Sequence, residues 1–427
     1  MSERHPERDE GATARATEPS EERPVARALE GIRVIDLTVW FQGPVAAQHL
    51  ADFGAEVIHV ERPKGGDQGR GVRSIKALPV GDWNQYFLVI NRNKKSMALD
   101  LKNPAGREIM YRLVEKSDVF LSNLGRENLE SWQLTPEKLA AINPRLVYAT
   151  TTGYGHYGTT RKPSFDMTVQ ALTGLMSRLG EPGEPPIYLG MGSGDAYGGL
   201  MAALAILLAL YQRQRTGKGQ LIDASLYGAQ LFLAAPTLQA YLATGSERFS
   251  RQQSRKAARN PLWNTYQAKD KWVFLCMPNT DASWSRLCES LADPALAKDV
   301  RFDEAAKRRE HATALIERLD DVLRERTAAE WMERWRPLGI VASLINNLAE
   351  LAADPQAWAN DYFVETWCEE VRRKVTVRGL PVHLSKTPGS VRSLGPELGQ
   401  DTELILAETL GYSWDEIAEF KTQGAIP

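Results

Sequence analysis

Mainly apolar runs alternate with amphipathic segments through the first third of the chain. The apolar runs predict buried strands at 32–38, 55–61, 96–101, 118–124 and 145–154. Between them, apolar residues recur at helical spacing and predict helices at 43–54, 103–117 and 135–143. Strands that are apolar on both faces need helices on both sides, so the pattern predicts an α/β fold with a parallel sheet. Such sheets bind ligands at the carboxyl ends of their strands.

A longer apolar segment, from Ala196 to Tyr211, follows the glycine-rich stretch LGMGSGDAYGG at 189–199. Its 16 residues fall short of the roughly 20 that span a bilayer, so it is predicted to be a buried core helix.

The pattern changes after about residue 245. A polar, basic segment indicates a linker or exposed loop, and TYQAKDKWVFLCM at 265–277 predicts a β-hairpin. Residues 301–335 have helical periodicity with mixed charge, which is typical of surface helices over an apolar seam. Strands are predicted again from residue 373 onward.

Composition excludes several classes of function. The chain has 52 Lys and Arg against 54 Asp and Glu, so no basic field favours nucleic acid or a membrane surface. Its three cysteines form no CxxC pair and no zinc-type cluster, which predicts no metal site and a reducing, cytoplasmic location. Residues 1–28 are polar and contain no secretory signal, so they are predicted to form a disordered tail.

Standard catalytic and nucleotide motifs are missing. The first predicted strand is followed by VWFQGPV rather than by GxGxxG, which argues against a nicotinamide dinucleotide site. The chain also contains no GxxxxGK[ST], HExxH or GxSxG pattern.

One acid, Asp195, lies among the glycines that precede the long apolar helix. On local sequence alone, the favoured interpretation is a helix N-cap, because Asp is a common capping residue. The alternative is a functional carboxylate, to which glycines without side chains allow a substrate to approach closely.

Several ordered segments together indicate a family. They are LEGIRVIDLT, GPVAAQHLADFGAEVIHVERPKGGDQGR, NRNKKSMALDLKNPAGREIMYRLVEKSDVFLSN, INPRLVYATTTGYGHYG, SFDMTVQALTGLM, GSGDAYGGLMAALAILLALYQRQRTGKGQLIDASLYGA and GPELGQDTELIL. Over residues 29–427 the chain resembles the family III CoA-transferases, the CaiB/BaiF group that includes formyl-CoA transferase.

The resemblance implies a Rossmann-like large domain with a parallel sheet, a smaller α/β domain, and an interlocked dimer in which each chain threads the other. The large domain is expected to comprise 29–225 and 345–427, with linkers at 226–249 and 331–344 and the small domain at 250–330. A homodimer is expected, or a heteromer with a paralogous subunit.

The resemblance also assigns site residues. Asp195 matches the family nucleophile. CoA or substrate contacts are implied for Phe41, Gln42, Arg62, Ile90, Asn91, Arg92, Asn93, Lys94, Asn123, Leu124, Pro163, Ser164, Phe165 and Asp166. Coenzyme A is then a substrate, and no cofactor or metal is expected.

The implied reaction moves CoA from an acyl-CoA donor such as succinyl-CoA to a carboxylic acid, through an aspartyl anhydride and an aspartyl-CoA thioester. Phe41 replaces the glutamine of many formate and oxalate enzymes, and the pattern NPLWNTYQAKD most resembles succinyl-CoA:benzylsuccinate CoA-transferase subunits. An aromatic or dicarboxylic acceptor is therefore expected. Two alternatives stay open: an α-methylacyl-CoA racemase, disfavoured because Phe165 stands where that group needs a histidine base, and a non-catalytic subunit.

Overall fold

A computed structural model describes residues 27–75, 78, 80–160 and 162–427. The tail predicted at 1–28 lies outside the described residues, except for its last two.

The large domain is built on one six-stranded parallel sheet, with the strand order β3-β2-β1-β4-β5-β6. Its strands are β1 Arg33–Leu37, β2 Glu56–Glu61, β3 Lys95–Ala98, β4 Val119–Ser122, β5 Val147–Thr152 and β6 Leu221–Ser225. The first five coincide with the predicted strands, and the α/β class is confirmed. β6 was not predicted, because its residues are half-exposed and include Asp223 and Ser225, so it shows no continuous apolar run.

Helices connect and cover these strands. They are α1 Gln42–Asp52, α2 Gln85–Ile90, α3 Pro104–Glu115, α4 Arg126–Ser131, α5 Pro136–Ile142, α6 Asp166–Leu172, α7 Ser193–Thr216, α8 Leu226–Leu233 and α9 Ala235–Thr244. Local sequence explains several starts: the side chains of Asn103 and Thr135 cap α3 and α5, and a proline follows each cap.

Apolar cores cover both faces of the sheet, as the strand pattern predicted. On one face α3 and α5 pack with the C-terminal segment around Phe120 and Leu113. On the other face α1 and α7 pack around Val34 and Ile206. The sheet therefore holds the carboxyl ends of its strands, and the loops that follow them, in fixed positions.

Helix α7 is the long apolar helix of the sequence. By length and composition alone it could cross a membrane, a test that core helices also pass. Its buried face, which includes Gly198, Ala202 and Ile206, packs against α1 and β5. The opposite face exposes Leu204 and Leu208. It is thus a core helix on one side only.

A second core lies between residues 262 and 340. The predicted hairpin is confirmed as β7 Trp263–Gln267 and β8 Trp272–Cys276, and β9 Ala342–Leu344 adds a third antiparallel strand. The helices are α10 Asp281–Leu291, α11 Pro294–Ala297, α12 Ala305–Glu310, α13 Ala312–Leu323 and α14 Ala328–Trp335.

The structure differs from the two predicted linkers. Residues 331–344 carry the end of α14 and strand β9, and the buried rings of Trp331 and Trp335 belong to the second core. Residues 226–249 form α8 and α9, and α8 packs against α6 and α7. Neither segment is an extended connection, because apolar residues in both are buried.

The C-terminal segment returns to the sheet. It contains α15 Leu348–Ala352, α16 Pro355–Ala359, the antiparallel strands β10 Phe363–Cys368 and β11 Arg373–Arg378, the short α17 Thr402–Leu404, a π-helical turn at Ile405–Leu410, and α18 Trp414–Thr422. The predicted strands after residue 373 are thus confirmed only for β11.

Candidate active site

A cleft of about 920 Å³ lies at the carboxyl ends of β4 and β5. It brings together nine of the residues assigned from the sequence: Phe41, Gln42, Asn123, Leu124, Pro163, Ser164, Phe165, Asp166 and Asp195. A second cavity, of about 520 Å³, lies beyond the ends of β1, β2 and β3 and contains Arg62. The two share Val39, Leu124 and Asn128, so they adjoin along one edge of the sheet, where parallel sheets bind ligands.

Asp195 is not the N-cap of α7. The cap is Gly192, whose left-handed backbone (φ +77) a residue with a side chain rarely adopts. Asp195 is the third residue of the helix, and no donor among the described residues forms a hydrogen bond with its carboxylate. The capping interpretation is therefore wrong, and the carboxylate is left free for another role.

The environment of Asp195 disfavours its charge. Partial burial and, second, the nearby charge of Asp166 raise the pKa of Asp195 from 3.8 to about 7. A carboxylate with a raised pKa is a stronger nucleophile than an ordinary aspartate, yet at neutral pH a large fraction is ionised.

Asp166 is buried at the start of α6, and two glutamines fix its side chain. Gln170 Nε2 and Gln230 Nε2 donate hydrogen bonds to Asp166 Oδ1 over 3.1 and 2.9 Å. The other oxygen, Oδ2, and Gln230 Oε1 are buried and have no partner among the described residues. The site therefore holds two carboxyl groups, one fixed and one free.

The glycines around Asp195 are required mainly by packing. A Cβ on Gly194 would lie 2.1 Å from Gln230 Nε2 and 2.2 Å from Asp166 Oδ1. On Gly199 it would lie 2.7 Å from the carbonyl oxygen of Gln42. These glycines let α7 approach α1 and the Asp166 carboxylate, which differs from the expectation that they open a path for the substrate.

Aromatic side chains lie beside Asp195. The ring centroids of Phe41 and Tyr86 are 5.7 Å apart. A Cβ on Gly192 would lie 3.7 Å from the ring of Phe41. Burial, then the charges of Asp195 and Asp67, raise the pKa of Tyr86 above its usual range. Phe165 lines the same cleft and is 60 % exposed.

The polar residues assigned to the cleft are partly committed to the protein. Asn123 clamps the β1–α1 loop: its Oδ1 accepts from Val39 N at 2.9 Å and its Nδ2 donates to Val39 O at 2.7 Å. Gln42 Nε2 donates to the carbonyl oxygen of Ala224 over 3.2 Å. Both therefore shape the cleft wall.

In the smaller cavity, Arg62 is exposed and forms no ion pair among the described residues. Its Nε and Nη2 donate to the carbonyl oxygen of Gly66, each over 3.2 Å, which leaves Nη1 without an acceptor in that part of the chain. Its charge is available to an anionic ligand.

The stretch Ile90, Asn91, Arg92, Asn93 and Lys94 lines neither cavity. Arg92 forms a buried ion pair with Asp52 at 2.7 Å. Lys94 Nζ contacts Asp36 Oδ2 at 2.8 Å, Asn91 Oδ1 at 2.7 Å and the Pro44 carbonyl oxygen at 3.0 Å, so all three of its N–H groups are used. The structure places this stretch in the framework under the site instead of at the ligand.

Sequence reasoning missed Tyr86, Gln170 and Gln230. Tyr86 and Gln230 lie in apolar segments, QYFLVI and LYGAQLFL, where a single polar residue gives no pattern. Gln170 follows Asp166 by one helical turn, and this i, i+4 spacing was the one available signal.

Comparison with known proteins agrees with this geometry. The sequence model of CoA-transferase family III matches residues 29–402. The chain is 32% identical over 417 residues to succinyl-CoA–D-citramalate CoA-transferase of Chloroflexus aurantiacus, covering 95% of this chain and 100% of that protein. It is 31% identical over 401 residues to human succinyl-CoA:glutarate CoA-transferase, covering 94% and 90%. A CaiB/BaiF family protein from Brucella suis superposes with a TM-score of 0.78 at 30% identity, covering 90% of this chain and 99% of that one.

The fold and the site therefore define a transferase that acts on acyl-CoA and acid substrates. The chain belongs to CoA-transferase family III, the CaiB/BaiF family.

Proposed function

We propose that the protein transfers CoA from an acyl-CoA donor, such as succinyl-CoA, to a carboxylic acid, with Asp195 as the nucleophile. The Asp195 carboxylate attacks the thioester carbonyl and expels CoA thiolate, which leaves a mixed anhydride. The thiolate then attacks the aspartyl carbonyl, releasing the donor acid and forming an aspartyl-CoA thioester. The acceptor carboxylate attacks the aspartyl carbonyl of that thioester and expels CoA thiolate, which leaves a second mixed anhydride. The thiolate then attacks the acceptor's acyl carbonyl, which gives the new acyl-CoA and free Asp195.

The observation that carries this proposal is the state of Asp195. Its carboxylate faces the cleft, receives no hydrogen bond from the described residues, and has a pKa raised to about 7. An acid with a purely structural role is normally hydrogen-bonded or paired, whereas a nucleophile must be free.

The start of α7 offers a site for the oxyanion that forms in each step. Among the described residues, the N–H groups of Gly194 and Asp195 have no acceptor, as expected in the first turn of a helix. These N–H groups and the positive end of the helix dipole would stabilise the negative charge on the attacked carbonyl oxygen.

We further propose an acceptor acid with an aromatic or other apolar part, dicarboxylic acids being the alternative. Phe41 and Phe165 line the cleft that contains Asp195, and the ring of Tyr86 lies 5.7 Å from that of Phe41, so these rings offer apolar contact area. The relatives named above act on citramalate and glutarate, so a second carboxylate on the acceptor is the comparison to test.

A racemase or a non-catalytic subunit would need different features. Racemisation requires two bases across the α-carbon, and the phenyl ring of Phe165 cannot transfer a proton. A subunit that had lost catalysis would have no need of a free acid with a raised pKa.

We propose that the chain acts as a dimer, a homodimer or a pair with a paralogous subunit; two relatives are the alpha and beta subunits of succinyl-CoA–L-malate CoA-transferase. The exposed face of α7 supports this proposal, because it presents the large apolar side chains Leu200, Leu204, Leu207, Leu208 and Tyr211. Light scattering at low concentration should give twice the chain mass, and a stable monomer would reject the dimer.

A substrate panel tests the function. The purified protein is incubated with several acyl-CoA donors and free acids, and new acyl-CoA is identified by mass spectrometry. Formation of acceptor-CoA in amounts equal to the donor acid released is expected. Hydrolysis alone, or exchange of the α-proton in deuterated water without transfer, would contradict the proposal.

A further inference from the structure

Gln230 is an unusual buried residue. It is fully buried in the apolar helix α8, and its Nε2 donates to Asp166 Oδ1 at 2.9 Å. Its Oε1 is buried without a partner among the described residues, which costs about 1–3 kcal/mol for such a group. A leucine would fill a similar volume without that cost, so the amide is explained by what its N–H end does.

The amide holds the Asp166 carboxylate next to the nucleophile. A Cβ on Gly194 would lie within 2.2 Å of both Gln230 Nε2 and Asp166 Oδ1. The side chains of Gln230 and Asp166 therefore pack directly against Gly194, the residue that precedes Asp195. Two N–H donors, from Gln170 and Gln230, hold Asp166 Oδ1 in this position.

We propose that Gln230 is a positioning residue, which fixes the negative charge of Asp166 beside Asp195 and thereby tunes the nucleophile. The inference rests on the proposed function, because it assigns Gln230 a role only if Asp195 attacks the thioester. A nearby like charge favours protonated Asp195 near neutral pH and makes the ionised carboxylate more nucleophilic.

Asp166 is the charged group that acts on Asp195 in this way. The other titratable groups on the first half of α7, and on the elements packed against it and against α6, are His49, Asp52, Tyr148, Arg178, Tyr197, Asp223 and Tyr227. Asp52 pairs with Arg92, Asp223 accepts from Thr152 Oγ1 and His156 N, and Arg178 donates to Thr237. Tyr86 also feels the Asp195 charge. Among the described residues, no cation forms an ion pair with Asp166.

The test follows the rate of Asp195 acylation against pH, with the adduct trapped by hydroxylamine. In the unaltered protein the rate should rise as pH increases through about 7. Asp166→Asn removes the charge, and Gln230→Leu removes a hydrogen bond that holds this charge beside Asp195. Both should therefore move this rise to lower pH by about 0.5–1 unit. Burial, the larger cause, remains in both variants.

Controls separate tuning from structural damage. Gln239→Leu makes the same change at an exposed position of α9 and should leave the pH profile unmoved. The double variant Asp166→Asn/Gln230→Leu should shift no further than Asp166→Asn, because Gln230 acts through Asp166. If Gln230→Leu does not fold, Gln230→Met takes its place.

Each outcome decides the matter. Matching downward shifts in both single variants, with none added in the double variant, support the inference. An unmoved profile in folded Gln230→Leu or Gln230→Met overturns it, even where Asp166→Asn shifts, and leaves the proposed function standing. Absence of any Asp195 adduct in the unaltered protein contradicts the proposed function, and the inference with it.

Discussion

The Asp166 carboxylate lies so close to the backbone of Gly194 that a Cβ there would be 2.2 Å from Asp166 Oδ1. The first turn of α7 and the start of α6 thus meet without any intervening side chain. Asp195 follows Gly194 directly, so whatever displaces Asp166 also alters the surroundings of the nucleophile.

Gly194→Ala should therefore impair both stability and transfer. The added methyl group must displace Asp166 and Gln230, which are buried, so overpacking should lower the free energy of unfolding by about 1–3 kcal/mol. Transfer activity should fall at least tenfold, and urea unfolding with a transfer assay would measure both. Gly71→Ala is the matched control, since a Cβ there meets nothing within 4 Å. Normal activity in Gly194→Ala would contradict the close packing described here.

Arg62→Ala should weaken CoA binding. Arg62 lines the smaller cavity and has no ion pair within the described part of the chain, so loss of one charge-assisted contact should cost about 1.5–3 kcal/mol of binding free energy. Calorimetric titration with CoA measures the change, and Arg336→Ala, at an exposed arginine that directly follows α14, should leave affinity unaltered. Equal affinities for the Arg62 variant and the unaltered protein would remove Arg62 from the binding site.

The same substitution at Lys94 and at Lys95 should lower the free energy of unfolding by very different amounts. Lys94→Met removes a partner from the buried Asp36 carboxylate, which should cost about 3 kcal/mol of unfolding free energy. Lys95→Met breaks only an exposed pair with Glu56 and should cost about 0–1 kcal/mol. CoA affinity should be retained in the folded Lys94 variant. A large loss of affinity with unchanged stability would instead support the phosphate contact implied by the sequence.

Lys94 also shows what the sequence could not reveal. Its partner Asp36 is 58 residues away, and nothing local to the NKK stretch indicates that one lysine is buried and the next exposed. The strand that carries Asp36 and the strand that follows Lys94 were nevertheless predicted, because the strands of a parallel sheet form continuous apolar runs. Local periodicity therefore gave the framework, whereas the polar contacts inside it depend on which strands become neighbours.

The same limit applies to the site. Asp195 and Asp166 were assigned from a family pattern. The capping interpretation of Asp195 failed because the N-cap of α7 is Gly192, which backbone conformation decides. Gln230 lies in a segment predicted to be a linker. Its contact with Asp166 spans 64 residues, so nothing in the local sequence indicates it. Residues that tune a catalytic group from a distant helix carry no local signal.

Asp195→Asn should stabilise the protein at high pH. The pKa of Asp195 rises from 3.8 to about 7 on folding, so the folded state holds its proton more tightly. Ionisation of Asp195 therefore destabilises the folded state. This loss of stability grows as pH rises from 3.8 and reaches its full size above about 7. Asparagine does not ionise, so the variant should gain roughly 4 kcal/mol at pH 8 and less than about 1 kcal/mol at pH 4 or below.

Urea unfolding at the two pH values measures this difference. Asp321→Asn, at a largely exposed aspartate of α13, is the control and should show no comparable gain. Equal stability of Asp195→Asn and the unaltered protein at both pH values would mean that the charge of Asp195 is not disfavoured by its surroundings.

The central claim is that Asp195 forms a covalent bond with the acyl group and then with CoA. The most direct measurement incubates the protein with an acyl-CoA donor, adds hydroxylamine, and examines by mass spectrometry the peptide that contains residues 192–200. A hydroxamate on Asp195 is expected in the unaltered protein, with neither adduct nor turnover in Asp195→Asn although that variant folds. Near-normal transfer by Asp195→Asn, with no trappable adduct in the unaltered protein, would contradict the claim.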